Sequence, residues 1–283
     1  MRTSTLVMMM TTLTAALGGC SKQVPLRVMT FNIRTATEVD GPNQWENRRD
    51  AVAAMLSDRK PDVLGLQEAR KGQIDDLVDR LGETYAWVGQ GREGGERGEF
   101  CPIFYQFSKV RLIDHGTFWV STHPEEPSLG WDAAYPRIAT WAKLRDRHTG
   151  RDFVMLNTHL DNKGEEARMQ GAKLIIERLS QLSNGLPIIL TADLNRRPDS
   201  DVYRAMTDTL RDATRAPKAG HTGPAETFTG WLDRPHRAGY EQETIDYILI
   251  SPTVRVRWTQ TLPSEWGGRQ MSDHRALMAD LDL

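Results

Sequence analysis

Cysteine, net positive charge and long apolar runs are all scarce in this chain. Its 283 residues include two cysteines, too few for the disulfide framework of a small stapled domain. The formal net charge is -2, so there is no overall basic field of the kind that holds proteins on nucleic acid regardless of sequence. The apolar stretch over residues 3–19 is too short and too rich in threonine for a membrane span, which needs about 20 apolar residues. The lack of a basic field disfavours a duplex-DNA enzyme, although a local basic groove is not excluded.

The first 25 residues have the composition of an export signal followed by a tether. Residues 1–19 place Arg2 before an uncharged, apolar stretch, which is typical of a signal peptide. The segment Leu17-Gly18-Gly19-Cys20 resembles the lipobox of bacterial lipoproteins, and this resemblance implies cleavage before Cys20 and acylation of that cysteine. An ordinary secretory peptide with an incidental cysteine is the alternative. Residues 20–25 would then be a short tether, and Cys101 would be a buried structural thiol.

The lipobox predicts the location of the protein. Two or more acyl chains anchor a protein stably where a single chain is marginal. We therefore expect an exported protein of the cell envelope that contacts the membrane through its lipid anchor. In a Gram-negative cell this would be the outer membrane or the periplasmic face, and Ser21 after the cysteine favours the outer membrane by analogy with Gram-negative lipoproteins.

Past the tether, strand-like and helix-like segments alternate over residues 26–283. Short apolar runs bounded by turn residues predict strands, and apolar residues at helical spacing predict helices. The predicted strands cover 26–33, 63–66, 102–107, 112–120, 138–144, 153–159, 187–191, 244–250, 254–262 and 275–281, and the predicted helices cover 44–59, 70–81, 164–182 and 200–209. Without a low-complexity linker, this alternation indicates one domain with two sheets flanked by helices.

Six short motifs place polar side chains at the ends of strand-like apolar runs. They are Met29-Thr30-Phe31-Asn32, Leu66-Gln67-Glu68, Asn157-Thr158-His159-Leu160-Asp161-Asn162, Ala192-Asp193-Leu194-Asn195, Thr244-Ile245-Asp246-Tyr247 and Ser272-Asp273-His274. Strand ends are where a fold can bring side chains to one rim. Hard oxygen ligands with an imidazole suit a divalent cation that assists the hydrolysis of a phosphate ester.

The order and content of the six motifs resemble the endonuclease/exonuclease/phosphatase superfamily over residues 26–283. That superfamily includes DNase I, abasic-site endonucleases, neutral sphingomyelinases, inositol polyphosphate 5-phosphatases and the deadenylase and nocturnin branch. The resemblance implies an α/β (α+β) fold, the four-layer α/β/β/α sandwich of DNase I, with its active site at one edge of the paired sheets. Leu160-Asp161 is similar to the deadenylase and nocturnin branch, whereas Arg34 stands where the DNA-repair endonucleases carry an acidic residue.

The resemblance also implies a metal-binding group. Glu68 matches the principal metal-ligating carboxylate of the family, and Asn32 and Asp273 match positions that support the metal or its waters. Such an oxygen-only set favours Mg²⁺ or Mn²⁺ over zinc. Read alone, Glu68 could instead be a solvated loop carboxylate.

The Asp-x-Asn motif is expected to handle the attacking water. In the family, the residue matched by Asp193 orients or deprotonates this water, and the one matched by Asn195 helps to hold the nucleophile or the phosphate. A carboxylate is a weak base, but beside a cation that acidifies water it needs little pKa tuning. An Asx turn is the alternative, because Asp-x-Asn is also good turn chemistry.

An imidazole–carboxylate pair is predicted from the two motifs nearest the end of the chain. Asp246 lies within an apolar strand, where an unpaired carboxylate would be costly, and His274 is a partner that would remove this cost. The family resemblance implies that His274 contacts the scissile phosphate. A core Asp that caps a turn, with a separate solvated His, is the alternative.

Four further residues are candidates for binding the phosphate or the rest of the substrate. His159 matches a phosphate-contacting position of the family and Asn162 a nearby polar contact, and a satisfied core histidine is the alternative for His159. Arg137 could clamp the phosphate or form a strand-edge salt bridge. Tyr105 is a further candidate for substrate binding.

The resemblance implies a metal-dependent phosphoric ester hydrolase in which water attacks phosphorus in line. We expect a phosphodiesterase of the exonuclease or endonuclease kind that acts on nucleic acid or nucleotides. A phosphatase, or a phospholipase C-like enzyme, that acts on a phospholipid or a phosphorylated glycan is the alternative. A non-catalytic binding lipoprotein is the competing class, but such a protein should have lost part of the metal-binding and phosphate-binding sets. We expect a monomer.

Overall fold

The computed structural model describes residues 24–216, 219–231 and 243–283. Cys20 and the signal peptide lie outside the described residues. Cys101 is buried and is not part of a disulfide, as predicted. Among the described residues, every helix falls short of the length and apolar character needed to cross a bilayer.

Fifteen strands and four α-helices alternate along the described residues. The strands are β1 (Leu26–Asn32), β2 (Val63–Gln67), β3 (Tyr85–Val88), β4 (Ile103–Gln106), β5 (Val110–Trp119), β6 (Ile138–Asp146), β7 (Asp152–His159), β8 (Ile188–Asp193), β9 (Arg211–Asp212), β10 (Gly220–Thr222), β11 (Asp246–Ile250), β12 (Arg255–Thr261), β13 (Glu265–Trp266), β14 (Arg269–Gln270) and β15 (Leu277–Asp282). The helices are α1 (Trp45–Arg59), α2 (Lys71–Leu81), α3 (Glu165–Ser183) and α4 (Asp201–Thr207), with 3₁₀ turns at Glu38–Asn43 and Ala213–Arg215.

Two large sheets pack face to face and each carries helices on its outer face. The first sheet has the strand order β10-β12-β15-β1-β2-β4-β3, and the second has the order β5-β6-β7-β8-β11-β9. One apolar cluster joins side chains of both sheets, a second joins the first sheet to α1 and α2, and a third joins the second sheet to α3 and α4. This is the four-layer α/β/β/α sandwich, so the predicted fold is confirmed.

β1 shows why the central strands are buried on both sides. Leu26 and Val28 face the cluster between the sheets, whereas Met29 and Phe31 face the helix layer. Because side chains alternate between the two faces of a strand, a strand sandwiched between two layers reads as a nearly continuous apolar run. The apolar runs in the sequence therefore predicted the central strands well.

A buried polar bridge joins the two sheets near the end that carries the motifs. Gln67 of β2 donates to Oγ1 of Thr30 at 3.0 Å and to Oδ1 of Asn157 of β7 at 2.7 Å. Oγ1 of Thr191 in β8 donates to the same Asn157 oxygen at 3.0 Å. The sheets approach closely here because Gly65 has no side chain: a Cβ at this position would lie 2.2 Å from Oγ1 of Thr191. The bridge fixes the relative position of the strands that carry the site.

The structure differs from the sequence prediction mainly in short elements. β3 was not predicted, and it pairs with β4 at the edge of the first sheet. The predicted strand over 244–250 begins at Asp246, and the predicted helix over 200–209 ends at Thr207. Edge strands and short helices have too few residues for a periodic pattern to define them.

Candidate active site

The six motifs converge because their strands end at the same edge of the paired sheets. In the first sheet Asn32 pairs with Gln67, so the parallel strands β1 and β2 end side by side. In the second sheet His159 pairs with Asp193, and Asp193 pairs with Asp246 of the antiparallel β11. The strand register therefore brings the predicted side chains to one rim.

Asn32 connects the two sheets within the site. Its Nδ2 donates to Oε1 of Glu68 at 3.0 Å and to Oδ2 of Asp193 at 2.9 Å, while its Oδ1 accepts from the backbone N–H of Arg34 at 2.9 Å. Asn32 therefore orients two carboxylates of the site, a place that is compatible with the predicted support of the metal or its waters.

Glu68 is held ionised at the end of β2. Its backbone has φ of 61°, an uncommon conformation for a residue other than glycine, which turns the side chain into the site. Oε2 accepts from the backbone N–H of Thr35 at 3.0 Å. Burial opposes ionisation, but the charge of Arg34 and this N–H lower the pKa of Glu68 below its ordinary value. An ionised carboxylate is what a metal ligand requires.

Asp193, His274 and Asp246 form a second charged group beside the first. Nδ1 of His274 lies 2.8 Å from Oδ2 of Asp246, and its Nε2 lies 3.8 Å from Oδ2 of Asp193. Burial opposes the charged imidazole, but Asp246 and Asp193 raise the pKa of His274 to about 10. Burial and the nearby Asp246 carboxylate raise the pKa of Asp193 to about 7. The predicted imidazole–carboxylate pair is present in the structure.

His159 faces the site in its neutral form. Nδ2 of Asn195 donates to the backbone oxygen of Leu160 at 2.9 Å and lies 2.8 Å from Nε2 of His159. Since that amide nitrogen is a donor, Nε2 of His159 is the acceptor and does not carry a proton. Burial and the charge of Arg137 hold the pKa of His159 well below its usual value, which agrees with this assignment.

Asn195 lies beside Asp193 and His159. Its backbone N–H donates to Oδ1 of Asp193 at 2.9 Å, which is the predicted Asx turn, and its side chain orients His159. Its φ of 50° is again uncommon for a residue other than glycine. The Asp-x-Asn motif therefore combines the turn and a place in the site, and the two interpretations of the sequence are compatible.

Arg137 and Asn162 lie at one wall of the site, next to a small cavity. Nε of Arg137 donates to Oδ2 of the buried Asp161 at 3.2 Å, and Nη2 donates to Oδ1 of Asn162 at 3.3 Å. The salt-bridge interpretation of Arg137 is confirmed. The same side chain lines the cavity beside Glu68 and His159, so it also stands at the edge of the site.

Tyr105 lies outside this group. It pairs with Val63 at the end of β2 that is remote from Glu68, and it packs in the apolar cluster between the sheets. The structure therefore gives Tyr105 a place in the core, and we no longer assign it a role in substrate binding. Antiparallel pairing of β4 with β2 produces this outcome, and no local sequence pattern indicates that pairing.

Several residues of the site were missed because no local pattern marks them. Arg48 is completely buried and donates to the backbone oxygens of Ile33, Asn43, Arg34 and Met271. Arg92 and Glu99 pair at 2.6 Å and line the cavity at the wall. The contacts of Arg48 reach from 5 to 223 residues along the chain, so only the fold reveals them.

The donor chemistry of the site fits a hard divalent cation. Glu68 and Asp273 face the same guanidinium group of Arg34, each at 3.9 Å. Burial and the like charge of Glu68 raise the pKa of Asp273. A cation near both carboxylates would offset this electrostatic repulsion. Asp193, Asp246 and His274 also offer ligand atoms within 4.8 Å of one another. Nδ1 of His274 is already held by Asp246 at 2.8 Å, whereas Glu68 and Asp273 offer oxygen atoms alone, so the Glu68 side of the site fits a hard cation better.

Comparison with known proteins identifies the relatives of this chain. The model of a family described as Endonuclease/Exonuclease/phosphatase matches residues 29–274. Protein angel of Drosophila melanogaster is 29% identical over 226 residues, which cover 75% of this chain and 61% of that protein. Nocturnin of Rattus norvegicus is 23% identical over 257 residues, which cover 82% of this chain and 57% of that protein. The chain thus spans less than two thirds of the length of these two relatives.

Two solved bacterial structures are more similar in sequence to this chain than these two relatives are. An endonuclease/exonuclease/phosphatase from Bacteroides vulgatus is 37% identical with a TM-score of 0.85, and the match covers 92% of this chain and 100% of that one. A mannosyl-6-phosphatase of Bacteroides thetaiotaomicron VPI-5482 is 30% identical with a TM-score of 0.83, and the match covers 91% of this chain and 100% of that one. Both matches extend over nearly the whole described fold.

Proposed function

Because the chain belongs to the endonuclease/exonuclease/phosphatase family, we propose that it hydrolyses a phosphate monoester of a sugar or glycan with the help of a divalent metal ion. Members of this family are hydrolases that act on phosphate esters. The observation that carries the proposal is the convergence of Glu68, Asp193, His274 and Asp246 at one rim. The sequence alone favoured a nuclease-like phosphodiesterase, with a phosphatase as the alternative. The proposal instead favours the phosphatase.

Glu68 and Asp273 would hold the metal ion. The family depends on divalent metals, and an oxygen-ligand site of this kind suits Mg²⁺ or Mn²⁺. When bound, the cation would neutralise charge on the phosphoryl oxygens and make a nearby water more acidic. Asn32 keeps Glu68 oriented through its hydrogen bond at 3.0 Å.

Asp193 is the group that can orient the attacking water and accept its proton. It is buried, and hydrogen bonds from Asn32 and from the backbone of Asn195 fix its carboxylate. Its pKa, raised to about 7 by burial and by Asp246, is close to the value that favours a general base near neutral pH.

His274 is the group that can bind the phosphoryl oxygens. Asp246 holds its Nδ1–H, so Nε2–H points toward Asp193 and the site. The ring of Phe228 packs against it edge-on, with 5.0 Å between ring centroids. A fixed imidazolium can stabilise the negative charge that develops on the phosphoryl group during in-line attack.

Two features support a sugar as the rest of the substrate. The first is the similarity to a mannosyl-6-phosphatase over nearly the whole chain. The second is the wall beside Glu68, where Arg92, Glu99 and Arg137 offer hydrogen-bond donors and acceptors together. Tyr135 is 45% exposed next to this wall, and the guanidinium of Arg92 stacks on its ring at 4.8 Å. Sugars present hydroxyl groups and apolar C–H faces, which match such a surface.

Turnover of matched substrates tests the proposal. Purified protein would be assayed with mannose 6-phosphate, p-nitrophenyl phosphate, bis-p-nitrophenyl phosphate and single-stranded RNA, with and without EDTA. We expect the monoesters to be hydrolysed fastest, EDTA to abolish turnover, and Mg²⁺ or Mn²⁺ to restore it. Glu68→Gln should abolish turnover, whereas Glu165→Gln, on an exposed side chain, should not. Faster hydrolysis of RNA or the diester would establish the phosphodiesterase instead, and no turnover at all would reject an enzyme.

We also propose that the protein is a lipid-anchored lipoprotein of the cell envelope. The proposal rests on the lipobox-like segment that ends at Cys20, which lies outside the described residues. Expression with labelled palmitate in a bacterial host should label the wild type and Cys101→Ser but not Cys20→Ser. Labelling that persists in Cys20→Ser would reject the anchor without affecting the proposed hydrolysis.

A further inference from the structure

Arg34 is built into the metal side of the site by contacts at both its backbone and its side chain. Its φ is 57°, an uncommon value for a residue other than glycine. Nε and Nη2 donate to the two carboxylate oxygens of Asp40 at 3.0 and 3.2 Å. Asp40 is itself buried and accepts from Nε1 of Trp231 at 3.3 Å. A bidentate pair of this kind fixes both the position and the orientation of the guanidinium plane.

The fixed guanidinium lies beside both carboxylates that would hold the metal, and its Nη1 faces Glu68. Nη1 lies 3.9 Å from Oε2 of Glu68, and Nε lies 3.9 Å from Oδ2 of Asp273. In the part of the chain that the structure describes, no oxygen lies within hydrogen-bond distance of Nη1. The Arg34 side chain is 30% exposed, so a ligand in solution can reach it.

We propose that Arg34 contacts the phosphoryl group of the substrate and supplies, on this side of the centre, the positive charge that a second divalent cation would otherwise bring. A second cation within a few ångströms of the fixed guanidinium would be strongly repelled. The Nη1 edge can instead donate to an anionic oxygen, a contact stronger than one between neutral groups. The centre then binds one metal ion, and Arg34 is a catalytic residue. This inference rests on the proposed function, because it assigns a phosphate to the site beside Arg34.

A purely structural role for Arg34 would have different consequences. If its only task were to tie Asp40 to the loop after β1, its loss would disturb Glu68 and weaken metal binding and phosphate binding together. If it supplies charge to the centre, its loss removes a repulsion from the metal and an attraction from the phosphate. The two affinities then change in opposite directions.

Titrations that require no turnover separate these cases. Mn²⁺ binding would be measured by electron paramagnetic resonance, and binding of inorganic phosphate to the Mn²⁺-loaded protein by calorimetry. For the wild type we expect one Mn²⁺ per chain. Arg34→Ala should bind Mn²⁺ about 10-fold more tightly, or take up a second ion, and should bind phosphate about 10-fold more weakly. Arg34→Gln provides the same reading if the alanine variant does not fold.

Arg27→Ala is the matched control. Arg27 lies in β1, near the end opposite the site, and forms a bidentate pair with Asp280 of β15 at 2.9 and 3.1 Å. Its loss should leave both titrations unchanged. Two Mn²⁺ per wild-type chain, or weaker Mn²⁺ binding in both Arg34 variants, would overturn the proposal. Because neither titration uses an ester, a wild type that binds Mn²⁺ and phosphate but hydrolyses nothing would reject the proposed function alone.

Discussion

Nδ1 of His274 lies 2.8 Å from Oδ2 of Asp246, and this contact sets the charge of the whole phosphate side of the site. Both side chains are almost completely buried. Since burial alone would favour a neutral imidazole, the carboxylate partner keeps the ring protonated. Nε2–H is thereby available to a phosphoryl oxygen, with Asp193 3.8 Å away.

The first prediction concerns the pH dependence of turnover. Ionisation of Asp193, whose pKa is raised to about 7, and deprotonation of His274, whose pKa is raised to about 10, should give a bell-shaped profile of kcat/KM. The two groups interact, so the apparent pKa values belong to the pair. Asp246→Asn removes the carboxylate that holds the imidazolium and should move the alkaline limb to lower pH by at least about one unit. Initial rates between pH 5 and 11 check this, and an unmoved alkaline limb in Asp246→Asn would contradict it.

The second prediction concerns stability and follows from the same pKa values. The pKa of His274 rises from 6.5 to about 10 on folding, so its contribution to stability is complete below about pH 6.5 and is lost as pH rises through about 10. The free energy of unfolding should therefore fall between pH 7 and 10. In Asp246→Asn this slope should be much shallower. Urea unfolding at pH 7, 8.5 and 10 measures it, and equal slopes in the two proteins would show that the pair does not control stability.

The third prediction concerns the buried guanidinium of Arg48. Its hydrogen bonds to backbone oxygens join the end of β1 to the segment before Asp273, so Arg48→Met should lower the free energy of unfolding by about 3–5 kcal/mol. Arg49→Met is the control, because Arg49 lies one residue further along α1 and pairs with Asp76 at the surface, where the cost should stay within about 1 kcal/mol. Urea unfolding measures the free energy of unfolding of both variants. A similar decrease in the two would show that the buried hydrogen bonds of Arg48 stabilise the fold no more than a surface ion pair does.

The sequence predicted those parts of the fold that depend on local pattern. Strands sandwiched between two layers are continuous apolar runs, and polar residues at their ends marked the rim that carries Glu68 and Asp193. Contacts between distant segments could not be predicted in this way. The sequence placed His159 and Asn195 in the same site, but the fact that one orients the other depends on the parallel register of β7 and β8. The predicted role of Tyr105 in substrate binding could not be judged from the sequence for the same reason, because the antiparallel pairing of β4 with β2 places Tyr105 away from the rim.

The fourth prediction concerns the close approach of the two sheets at Gly65, three residues before Glu68. An added Cβ would lie 2.2 Å from Oγ1 of Thr191 and 2.6 Å from Oδ1 of Asn157, so the inter-sheet bridge would have to shift. Gly65→Ala should therefore lower the free energy of unfolding by about 1–3 kcal/mol. Metal affinity should also fall, since Glu68 would move with β2.

Gly72→Ala is the matched control for that substitution. A Cβ at Gly72, in the first turn of α2, meets no atom within 4 Å, and alanine has the higher helix propensity. This variant should gain up to about 1 kcal/mol and leave Mn²⁺ binding unchanged. Urea unfolding and Mn²⁺ titration of the two variants are the measurements. If Gly65→Ala were as stable as Gly72→Ala, the sheets would have room to separate, and the rigid bridge could not be what holds Glu68 opposite Asp193.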